Sequence, residues 1–524
     1  MCLRASSHVR LFILLFIVAG AFTTSGVAAG IAVKRAGLQP ESLGPPASGW
    51  AEAGDDLKSE PRQRENSPTP SAAPFEVQAP IPEPARGVVR TQHRVDAMLD
   101  YQARTVQVQQ QIVYPNRSTE ALADLVLITE SNHRPGVFAL HRLAVDGRIL
   151  SPECCVRGMA LRIPLEPVLE PGRQAVVTLA YELHLPRITE YAVNAQGTFG
   201  WTSRQINLGE WLPLVAVRTA SGWHVPRYSK IGEYAFYEVA DFDVTISVRN
   251  TPEDRQLRVI APGVGTQEGE RHRFRLDRSR SFSWTVSTHM AMAEMSAGGV
   301  SIESYYFPEH EAAGKALRTA TAALTQFSRL FGSYPYQTLR IVEGDFLDGM
   351  EYCGLFFLGR DYYAVYNGTL RNYLTTIAAH ETAHQWWSCL VGNDPAREPW
   401  LDEALATFSE LLYYEEHHTD AVGWWWDVRV HRFGPRGWVD SSVYEFSSLR
   451  AYIDSVYLRG VLFFKDLRAQ MGKGALEAAL REYAHTYESK IATDAALWTI
   501  VEKHSTVPLH ALRARYFRSQ AVRP

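Results

Sequence analysis

Residues 375–410 read TTIAAHETAHQWWSCLVGNDPAREPWLDEALATFSE, and the reading of this stretch decides the rest of the chain. His380 and His384 are four residues apart, so on a helix they stand one turn above each other on one face and can grip a single metal ion. Glu403 follows His384 after eighteen residues (385 to 402), a spacing that lets one helix end and a second return antiparallel with a third ligand. Two neutral imidazoles and one carboxylate leave Zn2+ with a net charge of about +1 and an open fourth position, the pattern of a catalytic site; a structural site would take four protein ligands. Zinc so held acidifies water toward a pKa of about 7. Glu381, beside His380, is placed to accept the proton of the attacking water and return it to a leaving amine.

Chance alone would put His-Glu-x-x-His in roughly 3% of chains of this length and histidine content, so the motif needs its context. Ile377, Ala378, Ala379, Ala383, Trp386 and Trp387 surround the histidines and suit a buried helix rather than a solvated one. The metzincin pattern is excluded by spacing, because Trp387 and Leu390 stand where it needs Gly and His.

The chain has 524 residues, 46% of them hydrophobic, which predicts several domains with substantial cores. With 53 basic and 57 acidic residues the net charge is -4, and no long-range field favours nucleic acid. Five cysteines are too few for a disulfide framework. Residues 11–33 carry no charge and follow Arg4 and Arg10. They read either as a signal peptide, with Leu11 to Ala21 as its apolar core, or as a single-pass membrane anchor. Both readings place the bulk of the chain outside the cytoplasm, and a cytoplasm-facing anchor is the alternative. Residues 34–89 are rich in Pro, Ser and Ala and read as a disordered linker.

Residues 90–301 show period-two alternation, as in Val106, Val108, Ile112, Tyr114 and in Phe242, Val244, Ile246, Val248, which predicts an antiparallel β domain. Val145-Asp146-Gly147 is one of its turn signals. Residues 302–524 form the second domain. There Ala313, Leu317, Ala320, Leu324, Phe327 and Phe331 recur at helical spacing, a short strand Leu339 to Val342 follows, and a loop from Gly344 to Tyr352 leads to the apolar run Leu355 to Leu358. After Glu416 the chain reads as mainly helical. Thr407, one turn beyond Glu403, is a candidate for orienting that ligand. Asn116-Arg117-Ser118 and Asn367-Gly368-Thr369 fit the glycosylation pattern.

Taken together, His380, Glu381, His384 and Glu403, with HETAHQW at His380 to Trp386 and WLDEALA at Trp400 to Ala406, resemble the aminopeptidase N family of gluzincin zinc metallopeptidases. That resemblance implies a multidomain α+β fold: an N-terminal antiparallel β domain, then a thermolysin-like α/β zinc catalytic domain ending in helices. About a hundred residues follow Gly423, which leaves no room for the large C-terminal helical domain common in the family. The family's Gly-x-Met-Glu-Asn motif resembles Asp348-Gly349-Met350-Glu351-Tyr352, so Gly349, Met350 and Glu351 are the candidate substrate-binding residues. Glu351 would hold the substrate's free amine by a charge-assisted hydrogen bond. Asp348 and Tyr352 depart from the motif and put strict exopeptidase action in question. Tyr457, in Tyr457-Leu458-Arg459-Gly460, resembles the family's oxyanion-stabilising tyrosine, with Tyr452 as its rival.

The expectation is therefore a zinc aminopeptidase acting on peptides, with one Zn2+ per chain held by His380, His384 and Glu403 and with Glu381 and Tyr457 catalytic. An endopeptidase or dipeptide-releasing enzyme is the alternative on the same site, and a non-catalytic scaffold is the alternative of another class. Without the family's large C-terminal domain the cleft is expected to be more open, or closed by another subunit in a homo-oligomer.

Overall fold

Alternation of buried and half-buried side chains builds the first half of the molecule. Every second residue of Thr91–Asp100 faces inward, and the same register runs through Thr105–Pro115 and Gln174–His184. Val106, Val108, Ile112, Val177, Leu179 and Leu183 consequently meet in one core. These strands belong to an eight-stranded sheet. Its pairs are antiparallel except that Thr91–Asp100 lies parallel to Ala240–Arg249, joined by everything between them in the sequence. The turn expected at Asp146-Gly147 is a two-residue hairpin with both residues at positive φ, +49° and +84°. Two four-stranded sheets and a two-stranded one complete the β region among the described residues.

The computed structural model describes residues 90–518, apart from 153–154, 193–195, 253–254 and 311–312. The uncharged segment 11–33 and the linker 34–89 lie outside the described residues. Among the described residues no helix is long and apolar enough to cross a membrane.

Strand period gives way to helical period after Val300–Tyr306, so a boundary at 301/302 would cut through that strand. Ala313–Phe331 is an amphipathic helix whose Leu317, Ala320, Leu324, Phe327 and Phe331 are buried. It packs with a five-stranded mixed sheet in the order Ala291–Ala297, Val300–Tyr306, Thr338–Gly344, Leu355–Gly359, Gly349–Tyr352. The segment expected to be a loop, Gly344 to Tyr352, thus contains a strand. Cys353 and Gly354 (φ +75°) turn the chain tightly enough for Gly349–Tyr352 to pair antiparallel with Leu355–Gly359.

The two helices of the central segment follow. Tyr373–Ala383 starts at Asn372, whose side chain accepts from the Thr375 amide, and it is buried from Leu374 to Ala383. Glu403–His417 starts at Asp402, which accepts from the Glu403 amide. Arg459–Met471 crosses the latter closely. A Cβ at Gly460 would lie 2.4 Å from the Ala404 Cβ, so glycine is what permits the approach. Helices Lys473–Thr486, Asp494–His504 and His510–Tyr516 complete an α+β architecture of a β region followed by a smaller sheet and helices.

One minor expectation changes. Asn116 is buried and its amide donates to the Glu120 and Leu169 carbonyls, so it is no exposed glycosylation acceptor.

Candidate active site

His380 and His384 come from the last turn of Tyr373–Ala383 and its C-cap, and Glu403 from the first turn of the antiparallel partner helix. Their ligand atoms converge. His380 Nε2 lies 3.1 Å from His384 Nε2 and 3.2 Å from Glu403 Oε2, and His384 Nε2 lies 3.5 Å from Glu403 Oε2. A tetrahedral zinc with bonds of about 2.0–2.1 Å needs ligand-to-ligand edges of about 3.3 Å, which this triangle matches.

The outer ring nitrogens support the same fit. His380 Nδ1 faces Glu410 Oε1 at 2.8 Å, and His384 Nδ1 faces the Trp387 carbonyl at 2.9 Å. Both partners are acceptors, so each neutral ring carries its proton on Nδ1 and presents a lone pair on Nε2. Two such lone pairs and a carboxylate aimed at one point suit a cation.

Glu410 was not anticipated, although its position seven residues past Glu403 puts it two turns along the same helix face. It also accepts from Trp425 Nε1 and from Arg429 Nε and Nη2 at 2.8–3.0 Å. Burial opposes its charge, but Arg429 and then His380 hold it below the usual carboxylate range. A charged Glu410 orients the His380 ring and raises its basicity. Thr407 does not orient the Glu403 carboxylate, because its hydroxyl donates to the Glu403 backbone carbonyl at 2.7 Å. We expect Glu410→Gln to weaken zinc binding about 10–100-fold in competition titration against a chelator. Unchanged affinity would remove Glu410 from the site.

Glu381 is buried and its Oε2 makes no hydrogen bond within the protein. One of its oxygens clusters with Glu351 and His384, all within 4.8 Å. Gly349 makes room for it, since a Cβ there would stand 2.2 Å from Glu381 Oε1. Strand alternation places Gly349 and Glu351 toward the metal donors and turns Met350 into a small core with Phe346 and Phe357.

The two departures from the motif have structural reasons. Asp348 has φ +72°, a conformation glycine takes freely and aspartate tolerates, and its Oδ1 accepts from the Gly349 amide. The Tyr352 hydroxyl pairs with Thr198 of the β region at 2.9 Å, where a Cβ on Gly209 would collide with it. Neither displaces Glu351. Asp402 caps the helix and accepts from Asn393 at 3.1 Å.

Tyr457 rather than Tyr452 stands at the centre. Its ring stacks on His380 with centroids 5.8 Å apart, and Tyr452 packs edge-on behind it. Burial, followed by Glu403, pushes the Tyr457 hydroxyl well above its usual range, so it stays a donor.

One further carboxylate arrives from the β region with no motif to announce it. Glu233 clusters with Glu351 and Glu403 within 4.8 Å. Burial first, and then its acidic neighbours, push Glu233 and Glu381 well above the usual carboxylate range. Glu351 is raised too, chiefly by burial. Such a group of carboxylates is stabilised by incoming positive charge. A cavity of about 170 Å3 opens beside it, with Glu233, Glu351, Met350, Ser388 and Asp402 on its wall.

Comparison with known proteins locates this arrangement. The Peptidase family M1 domain matches residues 315–516. Aminopeptidase M1-D of Oryza sativa subsp. japonica is 25% identical over 222 residues, 39% of this chain and 25% of that protein. Probable aminopeptidase 2 of Sulfurisphaera tokodaii is 23% identical over 145 residues, 26% of this chain and 19% of that protein. The matched segment thus spans a quarter of the rice relative's length. An M1 zinc metallopeptidase from Deinococcus radiodurans has the same fold, with a TM-score of 0.58 at 17% identity over 84% of this chain and 96% of that one. The structure of a mutant of it bound to a Tyr-Ser-Ala substrate matches equally well.

Proposed function

We propose that this chain, whose residues 315–516 match the Peptidase family M1 domain, is a zinc-dependent aminopeptidase that hydrolyses the first peptide bond of peptides with a free N-terminus. The observation that carries the reading is the pair Glu351 and Glu233, whose carboxylates stand within 4.8 Å of the metal ligand Glu403. Two carboxylates so close to the scissile position leave room for one cationic group and select an N-terminal ammonium over a neutral backbone amide. The named aminopeptidase relatives and the peptide-bound neighbour support the same substrate class.

His380, His384 and Glu403 would hold one zinc ion. When bound, zinc supplies Lewis-acid chemistry, acidifying water and polarising a carbonyl oxygen. Glu381 uses its unpartnered Oε2 to take the proton that water gives up as it attacks the carbonyl carbon, and then passes it to the departing nitrogen. Tyr457 donates a hydrogen bond to the negative charge that develops on the carbonyl oxygen. Glu351 and Glu233 fix the substrate amine, and with it the bond that is cut. A location outside the cytoplasm is part of this proposal. Support comes from the disulfide between Cys353 and Cys389, a bond rare in reducing compartments, and from the uncharged segment 11–33.

Turnover of a free peptide and of the same peptide N-acetylated tests the reading. Wild type should prefer the free peptide, and Glu351→Ala should reduce that preference by about 10–100-fold, chiefly through KM. Equal cleavage of both peptides by wild type would mean an endopeptidase. No zinc-dependent cleavage across a broad peptide panel would mean a scaffold.

A further inference from the structure

We propose that the Cys353–Cys389 disulfide is a positioning device for amine recognition: it ties the strand carrying Glu351 to the turn that follows His384, and so fixes Glu351 relative to the metal ligands. The proposal rests on the aminopeptidase reading above.

Gly349–Tyr352 is the outermost strand of its sheet and is four residues long, paired with Leu355–Gly359 on one side. A strand so short, held along one edge, is weakly fixed by its ladder alone. Glu351 also faces Glu381, Glu233 and Glu403. Something must hold it in place.

The ties run from the hairpin to the residues just after His384. Gln385 Oε1 accepts from the Gly354 amide at 2.9 Å, and Gln385 Nε2 donates to the Tyr352 carbonyl at 3.1 Å. Cys353, two residues beyond Glu351, is bonded to Cys389, five beyond His384, with Cα atoms 5.4 Å apart. The far anchor is itself braced. The Cys389 amide donates to the His384 carbonyl at 3.1 Å. Arg280 donates through Nε to the Ser388 and Cys389 carbonyls and through its other nitrogens to those of Tyr237, Leu390 and Lys490. Between them Ser388 is held at φ +121°, a strained conformation for a residue other than glycine. The disulfide therefore joins a short edge strand to a turn braced by Arg280, and the joint lies on the wall of the same cavity as Glu351.

The test is a double-mutant cycle read by steady-state kinetics, with zinc content and Tm recorded for every variant. It compares wild type, Cys353→Ala with Cys389→Ala, Glu351→Ala, and all three together. We expect the cysteine pair to raise KM for a free peptide about tenfold and to lower the free-to-acetylated preference by about the same factor, with kcat changed less than about threefold and zinc content unchanged. In the Glu351→Ala background the same cysteine changes should move KM by less than about twofold, because the group they position is gone. A purely stabilising disulfide would lower Tm and leave KM and the preference alone, and that result overturns the proposal. So does a KM effect that persists undiminished without Glu351. Should the cysteine variant not fold, native wild type reduced with a phosphine gives the same reading. In that step water's oxygen goes to the phosphine to make the phosphine oxide, and water's two protons end on the two sulfurs. Wild type lacking any preference for the free amine is a separate result, which fails the aminopeptidase reading itself.

Discussion

Replacing Glu381 with Gln is expected to lower kcat about 10²–10⁴-fold, the range that general base catalysis supplies, while KM and bound zinc stay near wild type. Glutamine keeps the shape of the side chain and loses only the ability to take a proton. The structure makes the prediction sharp for two reasons. The donor triangle of His380, His384 and Glu403 is complete without Glu381. Its Oε2 has no other partner to satisfy, so no structural hydrogen bond is lost with the charge. Metal analysis together with single-turnover kinetics checks both halves. A variant that turns over within tenfold of wild type would assign the proton transfer to another group, and one that loses zinc would make Glu381 a ligand.

Glu403→Ala should have the other large effect. It removes one donor of three and leaves two imidazoles, so stoichiometric zinc is expected in wild type and well below one ion per chain in the variant, with activity falling in parallel. Removal of zinc from wild type by a chelator should also lower Tm. The donors come from two antiparallel helices, so a bound ion would cross-link Tyr373–Ala383 to Glu403–His417. It would also place positive charge beside the carboxylates of Glu233, Glu351 and Glu381. A metal present at about a thousand times its Kd contributes about 4 kcal/mol to stability. Differential scanning calorimetry with and without chelator measures this. An unchanged Tm, with activity that survives prolonged chelation, would rule out the metal centre.

Much of this site was legible because its chemistry is concentrated along short stretches. His380, Glu381 and His384 are neighbours on one helix, and their geometry follows from its pitch. Glu410 was equally local, two turns beyond Glu403, and was passed over because a ligand's outer partner carries no motif of its own. Glu233 was not legible at all. It reaches Glu351 from a different part of the fold, through the packing of the β region against the catalytic part, and no spacing encodes that. Asp348 and Tyr352 looked like defects in a motif. Their backbone angle and their partner Thr198 show two substitutions that the fold accommodates without moving Glu351. Cys353 and Cys389 were counted among too few cysteines for a framework, yet the hairpin and the turn after His384 bring them to bonding distance.

The sequence by itself determined that His380 and His384 share one helix face with Glu381 between them, the order of strands then helices, and the alternation along the main strands, because each of these depends on periodicities of two or four residues that covalent geometry imposes. Tertiary structure alone decided which tyrosine faces His380, which distant carboxylate joins Glu351, and what ties the substrate strand to the metal helix. These depend on where separately folded segments meet, and that is set by the packing of whole faces against one another.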